Sequence, residues 1–158
     1  MGGGARQEMI LVDTNLLVYA VNAEAPDHEK ARGWLDGKLN GPIGVGLPWS
    51  VLNGFVRLIS NPRVLPNPMP PARAWDQVEE WLELDSTFAP EPTHRHRQIL
   101  ADLMPHVSRA ELMPDAHLAA LAMEYGLVLC SADTDFDRFP GLTWKNPLAG
   151  GRTARARR

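Results

Sequence analysis

The chain has 158 residues, 44% of them hydrophobic and 22% charged, a size and composition that fit one globular domain and exclude wholesale disorder or a fibrous repeat. Its formal net charge is −3, yet the terminal RTARARR holds four arginines and no acid, so the rest carries 12 basic residues against 19 acidic ones, a net of −7. A body of that sign excludes nonspecific coating of nucleic acid, and a polyanion must be met through a local patch or a bound cation.

In chain order, MGGGARQE carries one Arg and no apolar run behind it, which argues against a signal peptide. Residues 1–8 are expected to be a flexible N-terminus, 9–148 the folded domain and 149–158 a flexible basic tail. Met9 to Val12 is a short apolar run of the kind expected for a strand buried on both faces, and it ends at Asp13, where Asp13 or Thr14 can cap a helix. A second helix begins near Pro26 and stops near Gly41-Pro42, with Ala31, Trp34 and Leu35 on one face. Leu39 to Val56 lacks charge but is broken by Pro42, Pro48 and four glycines, so it falls short of the roughly 20 apolar residues of a membrane span.

Ile43 to Leu47 reads as a second strand, and Pro48 opens a helix in which Val51, Leu52, Phe55, Val56 and Ile59 recur at helical spacing until Asn61-Pro62. The turn-rich segment 67–71 leads to a helix with Trp75, Val78, Trp81 and Leu82 on one side, then a short edge strand over Phe88 to Pro92. A helix is expected from Thr93 to about Pro105, and another from Pro114-Asp115 with a stripe of Leu118, Leu121 and Ala122 and a stop at Gly126. Leu127 to Cys130 repeats the apolar run of the first strand and ends at Ser131-Ala132-Asp133. Cys130 is the single cysteine, which excludes an internal disulfide and fits a reducing cytoplasm. Strand, polar turn and helix in alternation predict an α/β domain with a mostly parallel sheet.

The first and last of these runs both deliver aspartate, Asp13 and then Asp133 with Asp135, and ligands of open parallel sheets bind beyond the carboxyl ends of the strands. Asp115 opens the helix before the last strand, which places it at the same edge when that helix runs antiparallel to its strand. Four converging carboxylates either hold protons or bind a cation, and Mg²⁺ or Mn²⁺ suits an all-oxygen set, whereas no His/Cys pair has zinc-ligand spacing. Each acid also has a plain reading: Asp13 as a helix cap, Asp115 as a first-turn acid, and Asp133, Asp135 and Asp137 as a solvated turn. Candidate phosphate contacts are Arg57, Arg95, Arg97, Arg109, Arg138 and the tail, with surface or ion-pair roles as the alternative. The tryptophans read first as core, His117 as a helix-surface residue, and His94 and His96 as too isolated for a metal site.

The stretches Val12-Asp13-Thr14-Asn15-Leu16-Leu17, Asp115-Ala116-His117-Leu118 and Ser131-Ala132-Asp133-Thr134-Asp135-Phe136, followed by Asn146-Pro147-Leu148, resemble the PIN-domain ribonucleases, and more narrowly the VapC toxins of type II toxin–antitoxin modules. The resemblance implies a three-layer α/β/α fold and an Mg²⁺-dependent endoribonuclease, with Mn²⁺ as a substitute, restrained by a VapB-type antitoxin and paired as a homodimer. It assigns Asp13, Asp115, Asp133 and Asp135 to the metal and catalysis, and Asn15 and Ser131 to orienting them. Arg57, Arg95 and Arg97 are the candidate RNA contacts, and Trp34 and Trp49 a candidate groove for an antitoxin helix. The family usually adds a glutamate after the second strand, where Leu52-Asn53-Gly54-Phe55-Val56-Arg57 carries Gly54. That departure leaves open a PIN-fold module that binds RNA or antitoxin without turnover. A receiver domain would need adjacent acids after the first strand, and a haloacid-dehalogenase phosphatase an Asp where Asn15 stands.

Overall fold

A computed structural model describes residues 8–149; most of the segments expected to be flexible, 1–7 and 150–158, lie outside it. Five parallel strands form one sheet in the order β3-β2-β1-β4-β5, enclosed between helical layers: β1 Ile10–Val12, β2 Val45–Gly46, β3 Thr87–Phe88, β4 Val128–Cys130 and β5 Trp144–Lys145. β1 is central and pairs with β4 in the register Ile10 to Val128, Leu11 to Leu129 and Val12 to Cys130. Every residue of β1 and β4 is buried, which explains runs of apolar side chains with no polar alternation.

The helices are α1 Thr14–Val21, α2 His28–Leu39, α3 Trp49–Ile59, α4 Pro71–Leu82, α5 His96–Leu103 and α6 Met113–Tyr125. α6 ends where Gly126 takes the left-handed conformation at φ +65°, which a residue without Cβ adopts freely. It is buried over more than a stripe: Ala116, Ala119, Ala120 and Glu124 are covered as well as Leu118, Leu121 and Ala122. The small alanines let this helix sit close to its neighbours on several sides.

The edge elements depart from expectation. β2 is shorter than 43–47, and the glycines there are closely packed: a Cβ on Gly44 would lie 2.9 Å from Met9 Sδ, and one on Gly46 3.2 Å from the Ile10 carbonyl oxygen and 3.3 Å from the Phe88 ring. β3 begins at Thr87 and ends before Pro90 and Pro92, which have no N–H for a ladder. α5 begins at His96 rather than Thr93, whose backbone N–H and hydroxyl are bound to the Glu124 carboxylate. β5 and a 3₁₀ turn over Thr134–Arg138 were not anticipated, being too short to show a period.

Two tryptophans also leave the expected core. Trp81 and Trp144 are buried, but Trp49 and Trp75 are each 41% exposed and stack on one another with centroids 6.1 Å apart. Trp49 thus stays on the surface with Trp75 as its stacking partner. Among the described residues no helix is long and apolar enough to cross a membrane.

Candidate active site

The pairing of β1 with β4 brings Asp13 and Asp133 to one edge of the sheet. The Asp13 N–H donates to the Cys130 carbonyl at 3.0 Å, so the residue leaving β1 is pinned to the end of β4. Ser131 is pinned in turn from the other side, its N–H donating to the Lys145 carbonyl at 3.0 Å and its carbonyl accepting from Trp144 Nε1 at 3.1 Å. The unanticipated β5 is thus what fixes the loop that carries the last aspartates.

Asp13 both caps α1 and faces the site. One carboxylate oxygen accepts from the Thr14 N–H at 2.8 Å and the other from the Ser131 hydroxyl at 2.6 Å. The same Ser131 oxygen accepts from Asn15 Nδ2 at 3.2 Å and from the Asp133 N–H at 3.0 Å, while Asn15 Oδ1 accepts from the Ala132 N–H at 3.4 Å. Asp133 then accepts from the Asp135 N–H at 2.8 Å, which starts the 3₁₀ turn. A single network therefore runs from Asn15 through Ser131 to Asp13 and Asp133.

Pro114 at the first turn of α6 sets Asp115 at the same edge. Asp115, Asp133 and Asp135 each present an oxygen within 4.8 Å of the others, the one such group of three or more metal-ligating side chains among the described residues. All three are half-buried, as is Asp13, which stands outside that group. Burial pushes the Asp13 carboxyl up, partly opposed by the bonds from Ser131 and Thr14, and Asp133 adds repulsion. Burial, with repulsion from Asp133, Asp13 and Asp135, pushes Asp115 up to about 7 against a smaller opposing effect of Arg109. The crevice holds more negative charge than its protein surroundings neutralise, and its donors are hard carboxylate oxygens suited to a divalent cation of the Mg²⁺ or Mn²⁺ type.

Gly54 lies against this site. A Cβ there would stand 3.0 Å from Thr14 Oγ1, and that hydroxyl donates to the Val51 carbonyl at 3.3 Å, so Thr14 fills the space where a glutamate stem would begin. The arginines divide. Arg109 and Arg138 reach the crevice through Asp135. Arg57 is exposed on α3, and Arg95 and Arg97 are exposed beside α6, where Arg95 Nη2 donates to the Glu124 carbonyl. Glu124 lies nine positions beyond Asp115 on α6, about 13.5 Å along the axis.

Two features escaped the sequence. Glu124 is buried and accepts from the Thr93 N–H and hydroxyl, both at 2.7 Å, and from His96 Nδ1; burial alone would raise its pKa, but these bonds hold it below the usual range. His96 Nε2 in turn lies 3.1 Å from His117 Nδ1. His117 is therefore half-buried in the α5–α6 seam rather than a surface residue, and burial followed by the neighbouring His96 lowers its pKa. The signal was a Glu three positions after Leu121 on a helix otherwise lined with Ala and Leu.

Comparison with known proteins agrees with this geometry. Residues 10–142 match the PIN-domain family. Ribonuclease VapC37 of Mycobacterium tuberculosis is 44% identical over 142 residues, spanning 89% of this chain and 99% of that protein. Ribonuclease VapC33 of the same species is 39% identical over 141 residues, with 89% and 99% covered. In fold, the chain is similar to the M. tuberculosis toxin VapC20, described as cleaving the sarcin-ricin loop, with a TM-score of 0.62, 21% identity and coverage of 85% and 98%. It is also similar to a chain of the VapBC2 complex of Rickettsia felis, with a TM-score of 0.63, 15% identity and coverage of 86% and 96%. The chain belongs to the PIN-domain family and, within it, to the VapC ribonucleases, the toxin side of toxin–antitoxin pairs.

Proposed function

We propose that this ribonuclease is a metal-dependent endonuclease whose Mg²⁺, or Mn²⁺ in its place, is held in the crevice walled by Asp13, Asp115, Asp133 and Asp135. The observation that carries the reading is the convergence of Asp115, Asp133 and Asp135 within 4.8 Å, beside the half-buried Asp13. When bound, the cation would supply the Lewis acidity that activates water for in-line attack on a phosphodiester and stabilises the leaving 3′-oxygen. The chain's own residues prepare the site. Ser131 and the Thr14 N–H fix the two oxygens of Asp13, and Asn15 fixes Ser131. Asp115, raised to about 7, would release its proton when a cation is held there. Water is the nucleophile in this scheme, so the product carries a 5′-phosphate and the 2′-OH is not required.

RNA is the substrate, and Arg57, Arg95 and Arg97 are exposed for phosphates lying outside the crevice. A VapB-type antitoxin is the partner, in keeping with the VapBC complexes among the structural neighbours, and the working unit is a cytoplasmic homodimer. A second reading, a module that binds without turnover, is favoured only by Gly54 standing where the family's glutamate is expected.

Cleavage of a structured RNA mixture by antitoxin-free protein in Mg²⁺, Mn²⁺ or EDTA separates the two. The expected result is cutting that requires metal, is lost in Asp13→Asn and Asp115→Asn, and leaves 5′-phosphate ends. Folded, metal-loaded protein that binds RNA but leaves it intact favours the binding module. Products ending in 2′,3′-cyclic phosphate reject the hydrolytic route.

A further inference from the structure

His96 and His117 meet in the seam between α5 and α6, 21 positions apart in the chain, a separation that no local motif spacing reveals. His96 Nε2 lies 3.1 Å from His117 Nδ1, the ring centroids are 4.8 Å apart and the ring planes are inclined at 69°. An imidazole nitrogen stands about 1.2 Å from its ring centre, so a straight N–H···N bond of this length would hold the centroids about 5.5 Å apart. Two ring nitrogens directed at one ion, each at about 2.0–2.1 Å, would instead subtend about 98° at it and hold the centroids about 4.9 Å apart. The observed spacing matches the second arrangement and excludes a head-on pair.

The other nitrogen of His96 is already held. Its Nδ1 meets the Glu124 carboxylate, which is wholly buried and also accepts from the Thr93 N–H and hydroxyl. A carboxylate on the far nitrogen fixes the tautomer and leaves Nε2 as the lone pair that a metal takes. The charge of Glu124 is spent on His96, and Arg95 donates to the Glu124 carbonyl, so the pair selects by its imidazole donors rather than by negative charge. We propose that His96 and His117 form a second metal site, which takes a borderline divalent ion of the Zn²⁺ type and pins α5 to α6, with Glu124 orienting His96. The site is separate from the acidic crevice. His117 and Glu124 stand two and nine positions beyond Asp115 on α6, which turns both about 180–200° around the helix from it. Water completes the coordination, reaching the pair past a His96 side chain that is 14% exposed. Occupancy of this site is independent of the crevice and of the metal-dependent ribonuclease reading.

The test uses the full chain, with Zn²⁺ as the probe and Mg²⁺ in large excess to hold the crevice. Long-range ¹H–¹⁵N correlation spectra read each histidine ring nitrogen. His96 Nε2 and His117 Nδ1 are expected to shift together and to saturate at one Zn²⁺ per chain, and the melting temperature to rise by several degrees once Zn²⁺ is in excess of its Kd. By calorimetry, His117→Gln is expected to lose about tenfold or more in Zn²⁺ affinity, and Glu124→Gln about tenfold through a His96 ring no longer oriented. Asp115→Asn is expected to stay within about threefold of wild type, since a charge outside the coordination sphere is partly screened. Thermal melts in EDTA confirm that each variant is folded, and where one is not, the ring-nitrogen spectrum of the wild type decides by itself.

Zn²⁺ that leaves those two nitrogens unmoved, or that shifts only His28, His94 or His106, would overturn the assignment. So would binding that survives His117→Gln and disappears in Asp115→Asn, which would place Zn²⁺ in the crevice. Intact RNA in Mg²⁺ would instead sink the metal-dependent ribonuclease reading and leave the histidine site standing.

Discussion

Asp115 is the residue through which the site senses solution conditions. Its carboxyl sits near 7 in the folded protein against 3.8 for an ordinary aspartate, so between those values the folded chain holds a proton that the unfolded chain has released. The sign follows: over that window the stability of metal-free protein falls as pH rises. Melting temperatures measured in EDTA from pH 5 to pH 8 should therefore decline, and the decline should shrink in Asp115→Asn. That variant removes repulsion as well as a proposed ligand, so at pH 8 it should melt a few degrees above wild type while losing cleavage; about 1 kcal/mol corresponds to about 2–4 °C at this size. A variant that melts lower would mean that the repulsion is already relieved. Ser131→Ala has the opposite character. It leaves the half-buried Asp13 oxygen and the Asp133 N–H without their shared partner, a cost of about 1–3 kcal/mol in urea unfolding, together with loss of activity.

The contact between α1 and α3 turns on Thr14 and Gly54. An alanine at position 54 gains about 1 kcal/mol of helix propensity, but its Cβ stands 3.0 Å from the Thr14 hydroxyl. Gly54→Ala alone should therefore gain little, and in a background of Thr14→Ala it should gain close to the full amount. A double-mutant cycle in urea should return a coupling of about 0.5 kcal/mol or more, and simple additivity would show that the helices move apart freely. What the sequence disclosed follows the same local logic. β1 and β4 were legible because burial on both faces leaves an unbroken apolar run, and α6 because Pro114 and Gly126 mark its ends. β5 and the Thr134–Arg138 turn span too few residues to show a period. Asp13, Asp115 and Asp133 were legible as strand ends and a helix start. The positions of Arg109 and Arg138 on Asp135, and of Glu124 between Thr93 and His96, depend on how distant segments pack, which no local spacing encodes.

For the molecule as a whole, the crevice concentrates negative charge, so a cation held there as proposed would link metal binding to folding stability. Mn²⁺ at 100 times its dissociation constant should stabilise wild-type protein by about 2.7 kcal/mol, read as a rise in melting temperature, and should leave Asp115→Asn nearly unmoved. A wild-type melt indifferent to Mn²⁺ would mean that the carboxylates do not form one binding site. The pairing of β1 with β4 has another consequence, for a protein being made rather than one already folded. Asp13 and the Ser131 that orients it are 118 positions apart, and they meet only once β4 lies beside β1. A nascent chain that has emerged as far as α5 contains Asp13 but neither Asp115 nor Asp133. The crevice therefore cannot assemble before β4 and the loop after it have been translated. Premature termination upstream of β4 yields fragments that lack Ser131, Asp133 and Asp135, so that unfinished copies hold no complete acidic set.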